Sequence, residues 1–175
     1  MKIEDLLPDT SRRTADLAVA FVRDNPGYLP PMIALSFSEN HLMAMRASRV
    51  VWLCGKEAPE LIQAHLEDIA RRFPSLNNAS AIRNFLNLYS GKLEKLSERT
   101  LGIMIDACFH LLEDPKSDIA HKVLSMELIY QASRMIPELK PVLKSIIELQ
   151  FDESATAFQS RARKIMHSLN KEVVD

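Results

Sequence analysis

The sequence predicts an all-α fold of stacked helical hairpins, on three observations. Apolar residues recur at helical spacing in one segment after another, and no segment alternates apolar and polar residues for long enough to be a strand. The chain has 9 prolines, almost all between these segments, and only 4 glycines, which is typical of helices joined by short turns. Similar pairs of helical segments also recur about every 40 residues, the period of helical repeat proteins.

Composition and charge are those of an ordinary globular protein. Hydrophobic residues make up 47% and charged residues 26% of the 175 residues, so we expect a single domain spanning 1–175. The net charge of −1 argues against a protein that coats nucleic acid or an anionic membrane. No segment suits a signal peptide or a membrane span. Because Cys54 and Cys108 lie in apolar helical segments, we expect buried free thiols and a cytoplasmic location.

Capping and breaking residues predict nine helices in order along the chain. Asp9 or Thr10 is expected to cap the first helix, and the turn at 24–27 is expected to end it. Gly55 is expected to end the third helix, and Pro59 to open the fourth. The predicted helices cover residues 11–23, 30–38, 40–54, 59–73, 78–89, 97–113, 117–135, 137–149 and 154–170.

An internal repeat is the most specific feature of the sequence. Residues 45–53 and residues 121–130 share an apolar pattern that begins beside a basic residue, and each is followed by a helix that opens with Pro-Glu-Leu. The basic residues are Arg46 and Lys122, and Arg83, in a weaker central copy, lies about midway between them. Two helices in each repeat of about 40 residues are typical of a helical solenoid.

The stretches 40–73 and 118–150 resemble HEAT repeats, with a basic residue and small residues early in one helix, a short break, and a second helix opened by proline. This resemblance implies a right-handed α-α superhelix of about four helical hairpins plus a C-terminal capping helix. Proteins with this fold include importin-like and phosphatase scaffolds, and also DNA glycosylases of the alkylpurine type. The resemblance therefore supports the fold and leaves the function open.

The resemblance also implies a candidate binding surface, because the second helices of HEAT-like hairpins line the concave face. The apolar stripes of these helices point to the core, so their polar residues would form an inner wall. That wall is mixed in charge and slightly acidic, which disfavours binding to a phosphate backbone. The predicted inner wall consists of Glu60, Glu67, Arg71, Arg99, Asp106, His110, Glu113, Lys144 and Glu148.

The sequence contains no motif for a recognised catalytic chemistry. It has neither a glycine-rich phosphate loop nor a Gly-x-Ser-x-Gly nucleophile elbow. Asp106, His110 and Glu113 share one helix face and could in geometry hold a metal ion, but a solvated face with a local ion pair is the commoner outcome. We therefore expect no catalytic residue, no metal and no cofactor.

Two helices leave open a choice between core and interface. On the seventh predicted helix, Leu124, Leu128 and Met135 lie opposite the main apolar stripe. Burial between neighbouring helices is expected there, and a dimer or partner interface is the alternative. Met45 and Trp52 pose the same choice, and core packing is again expected.

The C-terminal helix carries a cluster of cations. One interpretation is a solubilising cap whose charges suit a helix C-terminus, and the other is a small basic patch for nucleic acid or an acidic partner. Four charges are few for tight binding, so we expect the cap. The cluster consists of Arg161, Arg163, Lys164 and Lys171.

These features together predict a non-catalytic protein–protein interaction or scaffold module whose partner is another protein or a peptide. Neither nucleic acid nor a membrane is an expected partner, and a homodimer is left open. The alternative is a nucleic-acid-binding or DNA-repair protein of the HEAT-like glycosylase type.

Overall fold

The computed structural model describes residues 2–171, and within them it contains ten α-helices and no strand. This architecture confirms the predicted all-α fold. The helices are α1 (Arg12–Asp24), α2 (Leu29–Ser36), α3 (His41–Glu57), α4 (Pro59–Gln63), α5 (Leu66–Arg72), α6 (Ala79–Tyr89), α7 (Glu98–Glu113), α8 (Ile119–Ala132), α9 (Leu139–Gln150) and α10 (Thr156–Lys171). Short 3-10 helices lie at Ile3–Leu6, Pro26–Tyr28, Phe73–Ser75 and Leu93–Lys95.

Side-chain caps fix where three of the helices begin. The hydroxyl of Ser11 accepts a hydrogen bond from a backbone N–H in the first turn of α1. Asn40 and Asn78 accept equivalent bonds at the starts of α3 and α6, which satisfies donors that have no partner within the helix. The expected cap of α1 by Asp9 or Thr10 is wrong, because Ser11 takes that role and Asp9 accepts a bond from the Ser11 N–H.

The predicted helix at 59–73 is interrupted and forms the two short helices α4 and α5. The N–H of His65 donates to the carbonyl of Ile62 at 2.9 Å, and this bond across three residues tightens the chain and ends α4. The buried side chains Ile62, Leu66 and Ile69 continue across the break. Apolar spacing therefore predicted the buried face and missed the interruption.

Gly55 does not end α3, which continues to Glu57. The glycine is buried where α3 packs against α6, and a Cβ atom added to it would lie 2.2 Å from Leu88 Cδ1. Carbon atoms in contact are normally about 3.5–4.0 Å apart. The role of this glycine is therefore close helix packing, and its interpretation as a helix terminator is wrong.

Contacts divide the chain into two compact units, Met1–Leu101 and Gly102–Asp175. In the first unit, α3 is central and packs against α1, α2, α4 and α6. The single domain at 1–175 and the right-handed superhelix stay predictions. The core of the first unit includes Val22, Met32, Val51, Leu53, Ile62, Phe85 and Leu86.

In the second unit, α8 packs against α9 and α10. Leu128 is buried as expected, at 1% exposure, whereas Met135 is 44% exposed beyond the end of α8. The core prediction is therefore confirmed for Leu128 and wrong for Met135. The apolar stripe predicted for the last helix is also buried, and it consists of Phe158, Ala162, Ile165 and Leu169.

Candidate binding site in the first unit

A cleft of about 370 Å³ opens in the first unit, between α1, α3, α6 and the segment before α1. This volume lies in the range of ligand-binding sites, which is roughly 300–1,000 Å³. Three arginines and a tryptophan give the cleft its chemical character. We call it the basic cleft and define it by Arg46, Arg49, Trp52, Arg83 and Asn87.

Helical spacing places the side chains of α3 that line the basic cleft. Ala47 and Cys54 are fully buried, and this turns the opposite face of the helix, with Arg49 and Trp52, toward the cleft. The expected core position of Met45 and Trp52 is wrong, because both side chains are only half-buried and line the cleft.

Hydrogen bonds hold two of the arginines against the N-terminal segment. Arg46 Nη1 donates to the carbonyl oxygens of Leu7 and Pro8, at 2.7 and 3.1 Å. Arg49 Nη1 donates to the carbonyl oxygen of Thr10 at 2.9 Å. The Nε atom of Arg46 is buried and has no hydrogen-bond partner among the described residues. The protein itself therefore satisfies only part of the hydrogen-bonding capacity of this half-buried guanidinium.

The arginines of the basic cleft form no close ion pair among the described residues. Within residues 2–171, no carboxylate oxygen lies within 4.0 Å of the guanidinium nitrogens of Arg46, Arg49 or Arg83. The acid that lines the cleft is Asp9, and hydrogen bonds at the start of α1, with Thr14 first, lower its pKa to about 2. The charge of Arg46 is the smallest contribution to that shift. The cleft therefore keeps an excess of positive charge.

A second depression continues the cationic surface. Its volume is about 430 Å³, and it shares Trp52 and Asn87 with the basic cleft while adding Lys56 and Lys92. Partial burial lowers the pKa of Lys92, against the opposing charge of Glu94. Trp52 therefore borders the arginines of the basic cleft and also the two lysines of the neighbouring depression.

The predicted inner-wall residues of the first unit lie outside the basic cleft. Glu67 accepts hydrogen bonds from the backbone N–H and the hydroxyl of Ser97, which joins α5 to the start of α7. The other three have exposed side chains, and they are Glu60, Arg71 and Arg99.

The inner-wall residues of the second unit are exposed or half-buried on two helices. Asp106, His110 and Glu113 lie exposed on α7. Lys144 Nζ on α9 lies 4.0 Å from Glu148 Oε1. Among residues 2–171, no three His, Cys, Asp or Glu side chains are grouped so that they could hold a metal ion. An inner wall made from both sets of residues stays a prediction.

Neither cysteine is placed for chemistry. Burial raises the pKa of Cys54 to about 11 and that of Cys108 to about 12. Near neutral pH both side chains are protonated, and a protonated thiol is a poor nucleophile. The prediction of buried free thiols is confirmed.

The cation cluster on α10 is partly neutralised. Arg161 is paired with Glu127. The guanidinium of Arg163 lies 5.1 Å from the ring centroid of Phe151, a separation that suits a cation–π contact. One of the four cations of the cluster is therefore neutralised by an acid among the described residues.

Reasoning from sequence used Arg46 and Arg83 as repeat markers and missed them as parts of a site. Two signals could have found them. Matching positions in successive helical repeats lie side by side, so basic residues at those positions predict neighbouring cations. Arg49 and Trp52 follow Arg46 by three and six residues in one helix, which predicts a shared surface.

Comparison with known families agrees with this structure. The family model described as a HEAT repeat domain matches residues 3–169, and the chain therefore belongs to the HEAT repeat family. HEAT repeats generally mediate protein–protein interaction or scaffolding. No curated protein and no solved structure matches the chain. Among the helices of the described residues, none is long and apolar enough to cross a membrane.

Proposed function

We propose that this chain is a non-catalytic module that binds another protein, and that the basic cleft is the binding site. One observation carries the proposal. Three arginines that form no ion pair within residues 2–171 line one cleft of the first unit together with a half-buried tryptophan. Tryptophan and arginine are enriched among the residues that dominate binding energy at protein interfaces. Membership of the HEAT repeat family supports the same class of function.

The alternative is a nucleic-acid-binding protein, because aromatic side chains among cations also suit bases and phosphates. A protein partner is preferred on charge. Asp9 lies within the cleft, where it would repel the phosphates of a strand that follows the arginines. The whole chain has a net charge of −1 and so lacks the positive excess typical of nucleic-acid-binding proteins. The cytoplasmic location and the homodimer stay predictions.

Site-specific cross-linking in native cells tests the proposal. A photo-reactive amino acid in place of Asn87, which lines the basic cleft, is expected to give discrete cross-linked protein products. The same amino acid in place of Gln63 is the matched control, because Gln63 is exposed on α4 in the same unit and does not line the cleft. Mass spectrometry identifies the products.

The products at Asn87 must disappear when Arg49 and Arg83 are both changed to glutamate. Thermal melts of the double variant check that the fold is retained. Identical products at both positions, persistence of the products in the double variant, or no protein product at all would each contradict the basic cleft as a protein-binding site.

A further inference from the structure

We infer that the basic cleft binds an acidic segment of the partner protein, with a large apolar side chain of that segment packed against Trp52. This inference rests on the proposed function and adds the chemistry of the ligand. It requires a segment whose aspartate or glutamate residues flank an apolar or aromatic residue.

The positive charge of the cleft favours a negatively charged ligand. Arg46, Arg49 and Arg83 bring three positive charges, and Asp9 is the one acid among the cleft-lining residues. Asp9 already accepts a hydrogen bond from the Ser11 N–H. A buried polar atom without a hydrogen-bond partner is costly, and the Nε atom of the half-buried Arg46 has no partner among the described residues. A ligand carboxylate beside these guanidinium groups reduces that cost.

Two of the arginines are held in place before any ligand arrives. Arg46 and Arg49 donate through Nη1 to carbonyl oxygens of the segment before α1. Groups that are ordered before binding lose less conformational entropy when they bind. Their planar donor edges also match the geometry of carboxylates. Arg83, whose side chain is exposed on α6, can adjust to the ligand from the other side.

Trp52 supplies apolar surface beside two groups of cations. It lines both the basic cleft and the neighbouring depression that contains Lys56 and Lys92. A half-buried tryptophan presents a large and rigid surface to an apolar side chain. Acidic residues on each side of that side chain would meet the cations that border Trp52.

The distribution of acids favours a peptide over a nucleic acid strand. Phosphates repeat along a whole strand, so a strand binds best to a continuous row of cations. Asp9 interrupts the row within the basic cleft. Short segments with separated charges fit this arrangement better.

Peptide display on the full chain tests the inference. A library of short random peptides is expected to yield binders in which acidic residues flank a large apolar or aromatic residue. One enriched peptide is then labelled with fluorescein and titrated by fluorescence anisotropy. It is compared with a counterpart whose acids are replaced by amides, with oligodeoxythymidine and with duplex DNA. The amide counterpart is expected to bind at least about tenfold more weakly, since close charge pairs are worth several kcal/mol at interfaces.

Substitutions in the cleft test whether the peptide binds there. Arg83→Glu is expected to weaken the binding of the acidic peptide by about tenfold or more. Arg23→Glu is the matched control, because Arg23 is exposed in the same unit and does not line the cleft, and this variant should bind like the wild type. Trp52→Ala is expected to weaken both the acidic peptide and its amide counterpart, since it removes apolar contact.

Several results would overturn the inference. They are selection of neutral or basic peptides, selection of no peptide, binding that Arg83→Glu leaves unchanged, or tighter binding to DNA than to the peptide. If cross-linking at Asn87 still gives a protein product that requires Arg49 and Arg83, the proposed function is retained and only the inferred ligand chemistry is wrong. If that cross-linking also fails, the proposed function falls with it.

Discussion

Helices α3 and α8 stand at matching positions of the internal repeat, yet they differ in what they expose. α3 buries one side and presents Arg49 and Trp52 to an open cleft. α8 is enclosed more completely, and its basic residue Lys122 is only 8% exposed. Lys122 Nζ donates to Gln150 Oε1 at 3.1 Å, and Gln150 Nε2 donates to the carbonyl of Leu112 at 3.1 Å.

The difference arises from the neighbours of each helix. The outer side of α3 is flanked by α6 and by the segment that precedes α1, and a cleft remains between them. α9 and α10 pack against α8, so the equivalent basic residue becomes part of an internal hydrogen-bond chain. A basic residue at this repeat position can therefore serve binding in one copy and structure in another. The repeat pattern specifies helix packing, and the neighbouring elements decide which function the position takes.

The largest expected effect is on the buried side of α8. Leu128→Ala should lower the free energy of unfolding by about 2–5 kcal/mol, because it removes packed methyl groups and leaves a cavity. Trp52→Ala on α3 should cost less, since Trp52 is half-buried at a cleft. Chemical denaturation of both variants measures the difference.

Light scattering provides the control for Leu128. The apparent molecular mass of the protein should be the same in the wild type and in Leu128→Ala, because the Leu128 side chain is 1% exposed within the second unit. A Leu128→Glu variant that melts like the wild type and runs at half its mass would instead make Leu128 part of a dimer interface.

A smaller effect should separate the two basic residues of the repeat. Lys122→Ala should lower the free energy of unfolding by about 1.5–3 kcal/mol, since it removes a hydrogen bond from a charged group at a mostly buried site. Arg83→Ala should stay within about 0.5 kcal/mol of the wild type, because its side chain is exposed. Urea denaturation of both variants tests this. Equal losses in the two variants would remove the distinction between a structural and a binding cation.

The smallest effect concerns Asp9, whose pKa is lowered from its ordinary value to about 2, chiefly by its hydrogen bond with the Thr14 side chain. A lowered pKa in the folded state contributes stability above the unfolded pKa, and that stability is lost as the pH falls through the folded pKa. The difference in unfolding free energy between wild type and Asp9→Asn should therefore be constant above about pH 4 and shrink toward about pH 2.

Carbon-13 NMR titration of the Asp9 carboxyl checks the same point directly. A midpoint near the ordinary value for aspartate, or a stability difference that grows on acidification, would contradict it. Arg46→Ala should move the midpoint little, because the charge of Arg46 is the smallest cause of the shift. A large movement would mean that Asp9 neutralises the arginines of the basic cleft.

Much of the fold could be predicted from the sequence, because apolar spacing and proline positions report directly on helices. The stripe containing Phe158 and Leu169 is buried as expected. The break between α4 and α5 could not be predicted, since Ile62 and Leu66 keep helical spacing across it. Gly55 was misinterpreted because a glycine that ends a helix and one that lets two helices approach look the same in a single sequence.

The candidate site was harder to predict because it depends on which surfaces stay uncovered. Trp52 and Arg49 lie opposite the buried face of α3, and the helical spacing of the sequence predicts this placement. Whether that face is covered depends on the segment before α1, which contributes the carbonyl oxygens of Leu7 and Thr10. That segment has no helical periodicity of its own, so no pattern in it indicated where it would lie.

The packing beside the basic cleft depends on a position that has no side chain. Arg46 and Arg49 come from α3 and Arg83 comes from α6, and these two helices approach closely where Gly55 meets Leu88. A methyl group at Gly55 would meet the end of the Leu88 side chain, which would have to move to admit it. A hydrogen atom in place of a methyl group thus lets the two helices that carry the arginines lie in direct contact.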